Sequence, residues 1–173
     1  MGTGQMLLTV GAIILLGTII LSTNRSLNDN DEILLKTNFG LEEVSLATSV
    51  MEEAQDKAFD QQTIAGAVTS LSQLTPPGSL GQENGDSSDL DDFDDYNGLN
   101  NNGLTQIDTM KVDTLIMAIY YVRTRVCYVD IGDLNGSSPT PTWSKRLDVS
   151  VWNKYDPGDT VKMSTIFSYW YFR

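Results

Sequence analysis

The chain has 173 residues, 23 Asp and Glu against 11 Lys and Arg, a formal net charge of -12, one cysteine and no histidine. That length suits one folded domain of ~100 residues once an N-terminal helical region is set aside. The acidic balance argues against nucleic acid and against docking on anionic lipid, both of which call for Lys and Arg clusters. With Cys127 alone no disulfide closes within the chain, and without His the commonest general base and metal ligand are missing, so any catalysis would rest on carboxylates.

Residues 1–25 form the first segment. Gln5, Met6, Leu7, Leu8, Val10, Gly11, Ile13, Ile14, Leu15, Leu16, Gly17, Ile19, Ile20 and Leu21 make an apolar run with no charged side chain before Arg25. A bilayer core of ~30 Å needs ~20 such helical residues. A cleaved signal peptide would carry a basic start and a small-x-small site, whereas residues 1–4 hold no basic side chain and Leu21-Ser-Thr-Asn-Arg25 is a poor site. A plain anchor and an anchor that later packs into a filament core both fit. Thr9, Gly11, Gly17 and Thr18 favour the second, because small residues let helices approach closely. Arg25 alone votes for a cytoplasmic C-terminal domain.

Residues 26–63 read as an amphipathic continuation of the helix. Asn28-Asp-Asn-Asp31 could loosen the chain or cap a second helical stretch, and Asn38-Phe-Gly40 predicts a kink. Val44, Ala47, Met51, Ala54 and Ala58 recur at spacings of three and four as one apolar stripe, with Glu43 at its edge. Such a stripe predicts a helix laid on a sheet, and a helix from Gln5 to Phe59 would measure ~80 Å.

Residues 64–110 read as loop, opened by Thr75-Pro-Pro-Gly78. Asp89-Leu-Asp-Asp-Phe-Asp-Asp-Tyr-Asn-Gly98 and Asn100-Asn-Asn-Gly103 follow. Asp91, Asp92, Asp94, Asp95 and Asn97 suit a hard cation such as calcium as a cofactor, although their spacing does not match the helix-loop-helix calcium template. The other reading is a solvated acidic loop whose side chains bond their own turn.

Residues 111–173 read as an antiparallel meander of three strands. Val112 to Ile131 is rich in β-branched and aromatic residues, with Arg123 and Arg125 on one face and Val122, Val126 and Tyr128 on the other. Asn135-Gly-Ser-Ser-Pro139 turns the chain into Trp143–Asn153, where Leu147, Val149 and Val151 align. Asp156-Pro-Gly-Asp159 predicts a tight turn with Gly158 at positive φ, and Thr160–Arg173 a third strand. All three Trp lie here, so this sheet is expected to hold the core; the aromatic end Tyr169-Trp-Tyr-Phe172 either joins that core or faces a neighbouring subunit. The fold class is α+β.

This layout resembles type IV pilins and pseudopilins. The residues that carry the resemblance are Gln5-Met-Leu-Leu-Thr-Val-Gly-Ala-Ile-Ile14, which look like the start of a mature pilin. In that family the fifth mature residue is usually Glu; here it is Gln5, a neutral amide that still accepts a hydrogen bond from a neighbour's terminal amine, more weakly, without the desolvation cost of a buried carboxylate. Family precursors carry a short basic leader ending in Gly. None precedes this start, which leaves three readings: the sequence begins at the mature residue, the protein is leaderless, or the cut falls after Gly4. The resemblance implies a homo-oligomeric filament subunit, not an enzyme. It would wait in the inner membrane, be handled by a pilus assembly machinery, and end in an extracellular filament with its sheet domain outside, against the vote of Arg25. Pseudopilins, minor pilins and a membrane-anchored binding domain that never polymerises are the alternatives.

Overall fold

The computed structural model describes residues 2–82, 90–99, 105–112 and 116–169. The order is a helix α1 (Thr3–Gln55), a short helix α2 (Gln61–Ile64), three 3-10 turns, and strands β1 (Thr105–Val112), β2 (Ile116–Tyr128), β3 (Ser144–Asn153) and β4 (Asp156–Ser168). The chain is α+β and divides into two compact units, Met1–Leu41 and Glu42–Arg173.

The first unit is helix throughout its described length. Met6, Leu7, Leu8, Val10, Ile13, Ile14, Leu15, Leu16, Ile19, Ile20 and Leu21 are all exposed. The hydroxyls of Thr9, Thr18 and Thr23 donate to the carbonyls of Met6, Leu15 and Ile19, at 2.9, 2.8 and 2.9 Å. The helical assignment runs unbroken through Asn28–Asp31 and through Asn38-Phe-Gly40.

In the second unit the four strands form one antiparallel sheet in the order β1-β2-β3-β4. The expected meander therefore gains a strand: β1 lies mostly within the stretch read as loop, and the long run from Val112 supplies the end of β1 and all of β2. The register aligns Tyr120 with Asn153, Val122 with Val151, Thr124 with Val149, Val126 with Leu147 and Tyr128 with Lys145. All ten of these side chains are buried on one face, while Arg123 and Arg125 are exposed, as the alternation predicts.

The end of α1 covers that face. Its buried residues are Glu43, Ala47, Val50, Met51 and Ala54. Val44, read as part of the stripe, is exposed, and Glu43, read as its edge, is buried. The stripe thus begins one residue earlier than its apolar side chains indicate, because a carboxyl occupies the first buried position. Glu43 Oε1 accepts a hydrogen bond from the backbone N–H of Asn153, and Tyr120 donates its hydroxyl to Glu42.

Two further expectations need correction. The β3–β4 turn is Lys154-Tyr155, two residues before Asp156-Pro-Gly-Asp159, and β4 already runs through Pro157 and Gly158. Asn153 makes this turn by accepting the Tyr155 N–H on its side chain at 2.8 Å. β4 is an edge strand, where a residue without an N–H is tolerated. Gly158 has no positive φ; among the described residues only Gly81 and Gly98 do. Nor do Trp143 and Trp152 build the core: both are half-buried, while Phe59, Phe93, Tyr96, Tyr120 and Tyr128 are buried. Tyr169 packs on Phe59 and Trp143, at ring centroid distances of 5.4 and 5.7 Å. Residues 170–173 of the aromatic end lie outside the described residues.

Candidate functional site

Two places concentrate unusual chemistry: the apolar surface of the first unit and a buried charged cluster in the second. The first needs little geometry. A Cβ added to Gly11 or Gly17 would meet nothing within 4 Å. Glycine weakens a helix interior by ~1 kcal/mol relative to Ala, and no neighbour among the described residues accounts for either one. Gln5 is exposed with the rest of the run.

The second place begins where α1 ends. The chain turns through Ala58, which forms a parallel bridge with Asp92; the Phe93 N–H donates to the Ala58 carbonyl at 2.9 Å. This docks residues 90–99 against the end of the helix. The acidic run then folds on its own amides. Asp92 Oδ1 accepts the N–H groups of Asp94 (2.7 Å) and Asp95 (3.1 Å), and Asp95 Oδ2 accepts those of Asp91 (3.0 Å) and Asp92 (3.2 Å). Asn97 extends the dock to the sheet: its Nδ2 donates to the Leu80 carbonyl and its Oδ1 accepts the Val126 N–H of β2, each at 2.9 Å.

The five residues singled out from sequence therefore separate. Asp91, Asp92 and Asp95 come together, with one oxygen of each within 4.8 Å of the others. Asn97 is committed to backbone groups, and Asp94 turns away to Lys145. Asp89 and Asn100–Gly103 lie outside the described residues. Burial, with Asp94 and Asp95 adding to it, lifts the Asp92 carboxyl to about 8, and its buried Oδ2 has no hydrogen-bond partner among the described residues.

Lys145 is the centre of the cluster. It stands on the apolar face of β3, in line with Leu147, Val149 and Val151, and is 0% exposed. Its Nζ donates to the Phe59 carbonyl and to Asp60 Oδ2, both at 2.8 Å, and touches Asp94 Oδ1. The rings of Phe59 and Tyr128 wall the ammonium, at 4.6 and 5.2 Å to their centroids. Asp60 caps α2 by accepting the Gln62 N–H at 3.1 Å, and also accepts the Thr75 N–H and hydroxyl. The Tyr128 hydroxyl lies 3.2 Å from its Oδ2. Burial pushes the Asp60 carboxyl up, but the Lys145 charge and these hydrogen bonds outweigh it and hold the group below the usual carboxylate range. Sequence reasoning missed Lys145 and Asp60, and placed Glu43 only at the stripe's edge. The signal for Lys145 was present: the period of two through Leu147, Val149 and Val151 reaches it one step earlier.

A scan against protein-family models gives no match, and comparisons with curated proteins and with solved structures give none either. What the chain has in common with the pilin layout is a long apolar N-terminal helix and an antiparallel sheet.

Proposed function

We propose that the chain is a structural subunit of an extracellular filament of the type IV pilus kind, not an enzyme. Before assembly its first unit spans the inner membrane. Assembly machinery then moves that helix from lipid into a bundle of identical helices, leaving the sheet domain on the outside. The observation that carries the reading is the apolar run from Met6 to Leu21, which nothing among the described residues covers. Gly11 and Gly17 support it, since a neighbouring helix could approach closely at each and no contact among the described residues calls for either. Repeated head-to-tail contacts that do not close give an open polymer. In that polymer Gln5 would accept a hydrogen bond from the terminal amine of the adjacent subunit.

Electron microscopy of fibres sheared from cells, with mass spectrometry of the subunit they contain, tests this. Fibres built of this chain are the expected result. Membrane-embedded monomers alone, with no fibre at any expression level, would reject it in favour of an anchored binding domain.

A further inference from the structure

We propose that Lys145 and Asp94 are joined by an intramolecular isopeptide bond that the folded chain forms on itself. Both side chains are 0% exposed and in direct contact, and Asp60, also 0% exposed, is the second carboxylate on the same ammonium. The three groups come from distant parts of the chain: Lys145 from β3, Asp94 from the docked acidic segment, and Asp60 from the turn after α1. Folding therefore assembles the site.

The chemistry is a condensation that balances without any added reagent. Lys145 Nζ gives a proton to Asp60 Oδ2, 2.8 Å away, and its freed electron pair attacks Asp94 Cγ. A carbon–nitrogen bond forms, one carbon–oxygen bond of Asp94 breaks, and the departing oxygen takes two protons, both originally on Nζ, through Asp60. An ammonium and a carboxylate become one amide and one water, and Asp60 ends as it began. In water this reaction runs uphill because both ions are well solvated. In a dry pocket each charge has lost its hydration, so the neutral amide is favoured. Contact between the reacting groups supplies effective molarities of roughly 10⁵–10⁸ M.

The two carboxylates divide the roles by their surroundings. Asp60 accepts from the Gln62 and Thr75 amides and from the Thr75 hydroxyl. Those bonds hold it as an anion, a poor electrophile and a good proton carrier. Asp94 presents the carboxyl that stands in direct contact with Lys145 Nζ. Asp60 is thus a positioning and proton-carrying group, and Asp94 is the one consumed. The inference stands whether or not the chain polymerises.

Tryptic digestion of the denatured full-length protein reads the bond directly. No Lys or Arg lies between Lys57 and Lys111, so Asp94 falls in the peptide 58–111. Trypsin does not cut after an acylated lysine, so Lys145 stays within 126–146. The expected product is a branched peptide joining 58–111 to 126–146, lighter than their sum by one water. Separate linear peptides, with cleavage after Lys145, would overturn the proposal and leave an ion pair only. Lys145→Arg and Asp94→Ala should each abolish the branch. Asp60→Asn should abolish it in protein that still folds by circular dichroism; a branch that persists at full yield there would remove Asp60 from the reaction. The wild-type digest decides the main point even if every variant fails to fold.

Discussion

Glu43, buried on α1, accepts a hydrogen bond at 3.0 Å from the backbone N–H of Asn153, the last residue of β3. Burial, with Asp159 and Asp156 of β4 adding to it, lifts the Glu43 carboxyl to about 7 despite that bond. Asp92 is lifted likewise, to about 8. Both groups hold protons in the folded chain that they release on unfolding at neutral pH. Their contribution to stability is complete below the ordinary carboxylate range and is lost as pH rises toward 7 and 8. Urea midpoints should accordingly be higher at pH 5 than at pH 8. Glu43→Gln should flatten that slope and add about 2–3 kcal/mol at pH 8. A wild-type midpoint that climbs from pH 5 to pH 8 would contradict this. Asp60, with its lowered value, works in the opposite direction, but only at pH below the ordinary carboxylate range.

Removing Lys145 from the buried cluster should be costly, whether it stands there as an ammonium or as the proposed amide. Lys145→Met leaves Asp60 and Asp94 buried against Phe59 and Tyr128 without their shared ammonium. Breaking one side of a buried charge cluster costs about 3–5 kcal/mol. Chemical denaturation should show a loss of that size or outright unfolding; a loss under 1 kcal/mol would mean that water reaches the cluster.

Gly17→Leu separates the two units. No atom lies within 4 Å of a Cβ there, so the thermal unfolding of the sheet domain should not change. Fibre yield should collapse, because the larger side chain would hold neighbouring helices apart. Normal fibres from this variant would show that Gly17 does not face a neighbour.

Adding calcium, or a chelator, should leave the unfolding temperature where it is. Asp92 Oδ1 and Asp95 Oδ2 are already used by four backbone amides of their own turn, and calcium asks for about six to eight oxygens. A midpoint that rises with calcium and returns with chelator would show that Asp91, Asp92 and Asp95 take the ion instead.

Much of the fold was legible where one periodicity ruled. The alternation in β2 and β3 placed Val122, Val126, Tyr128, Leu147, Val149 and Val151 correctly inside. It failed for most of β1 because the register shifts between Gln106 and Asp108: a bulge breaks the period of two, and residues 105–110 then read as loop. It failed at the β3–β4 turn because Pro and Gly are loud signals, whereas the cap that Asn153 places on Tyr155 is quiet. The buried cluster was hidden for another reason. Asp60, Asp94 and Lys145 lie up to 85 residues apart, and each alone resembles an ordinary surface charge. The acidic run drew the eye to a cation, while the one it meets in the fold is a lysine.

The threonines of the first helix have a consequence for its travel. Thr9, Thr18 and Thr23 spend their hydroxyl protons on carbonyls of their own backbone. No hydroxyl proton of these three is left to seek a partner outside the helix. In the proposed passage from lipid to a bundle of like helices, these three hydroxyl donors would keep the partners they already have.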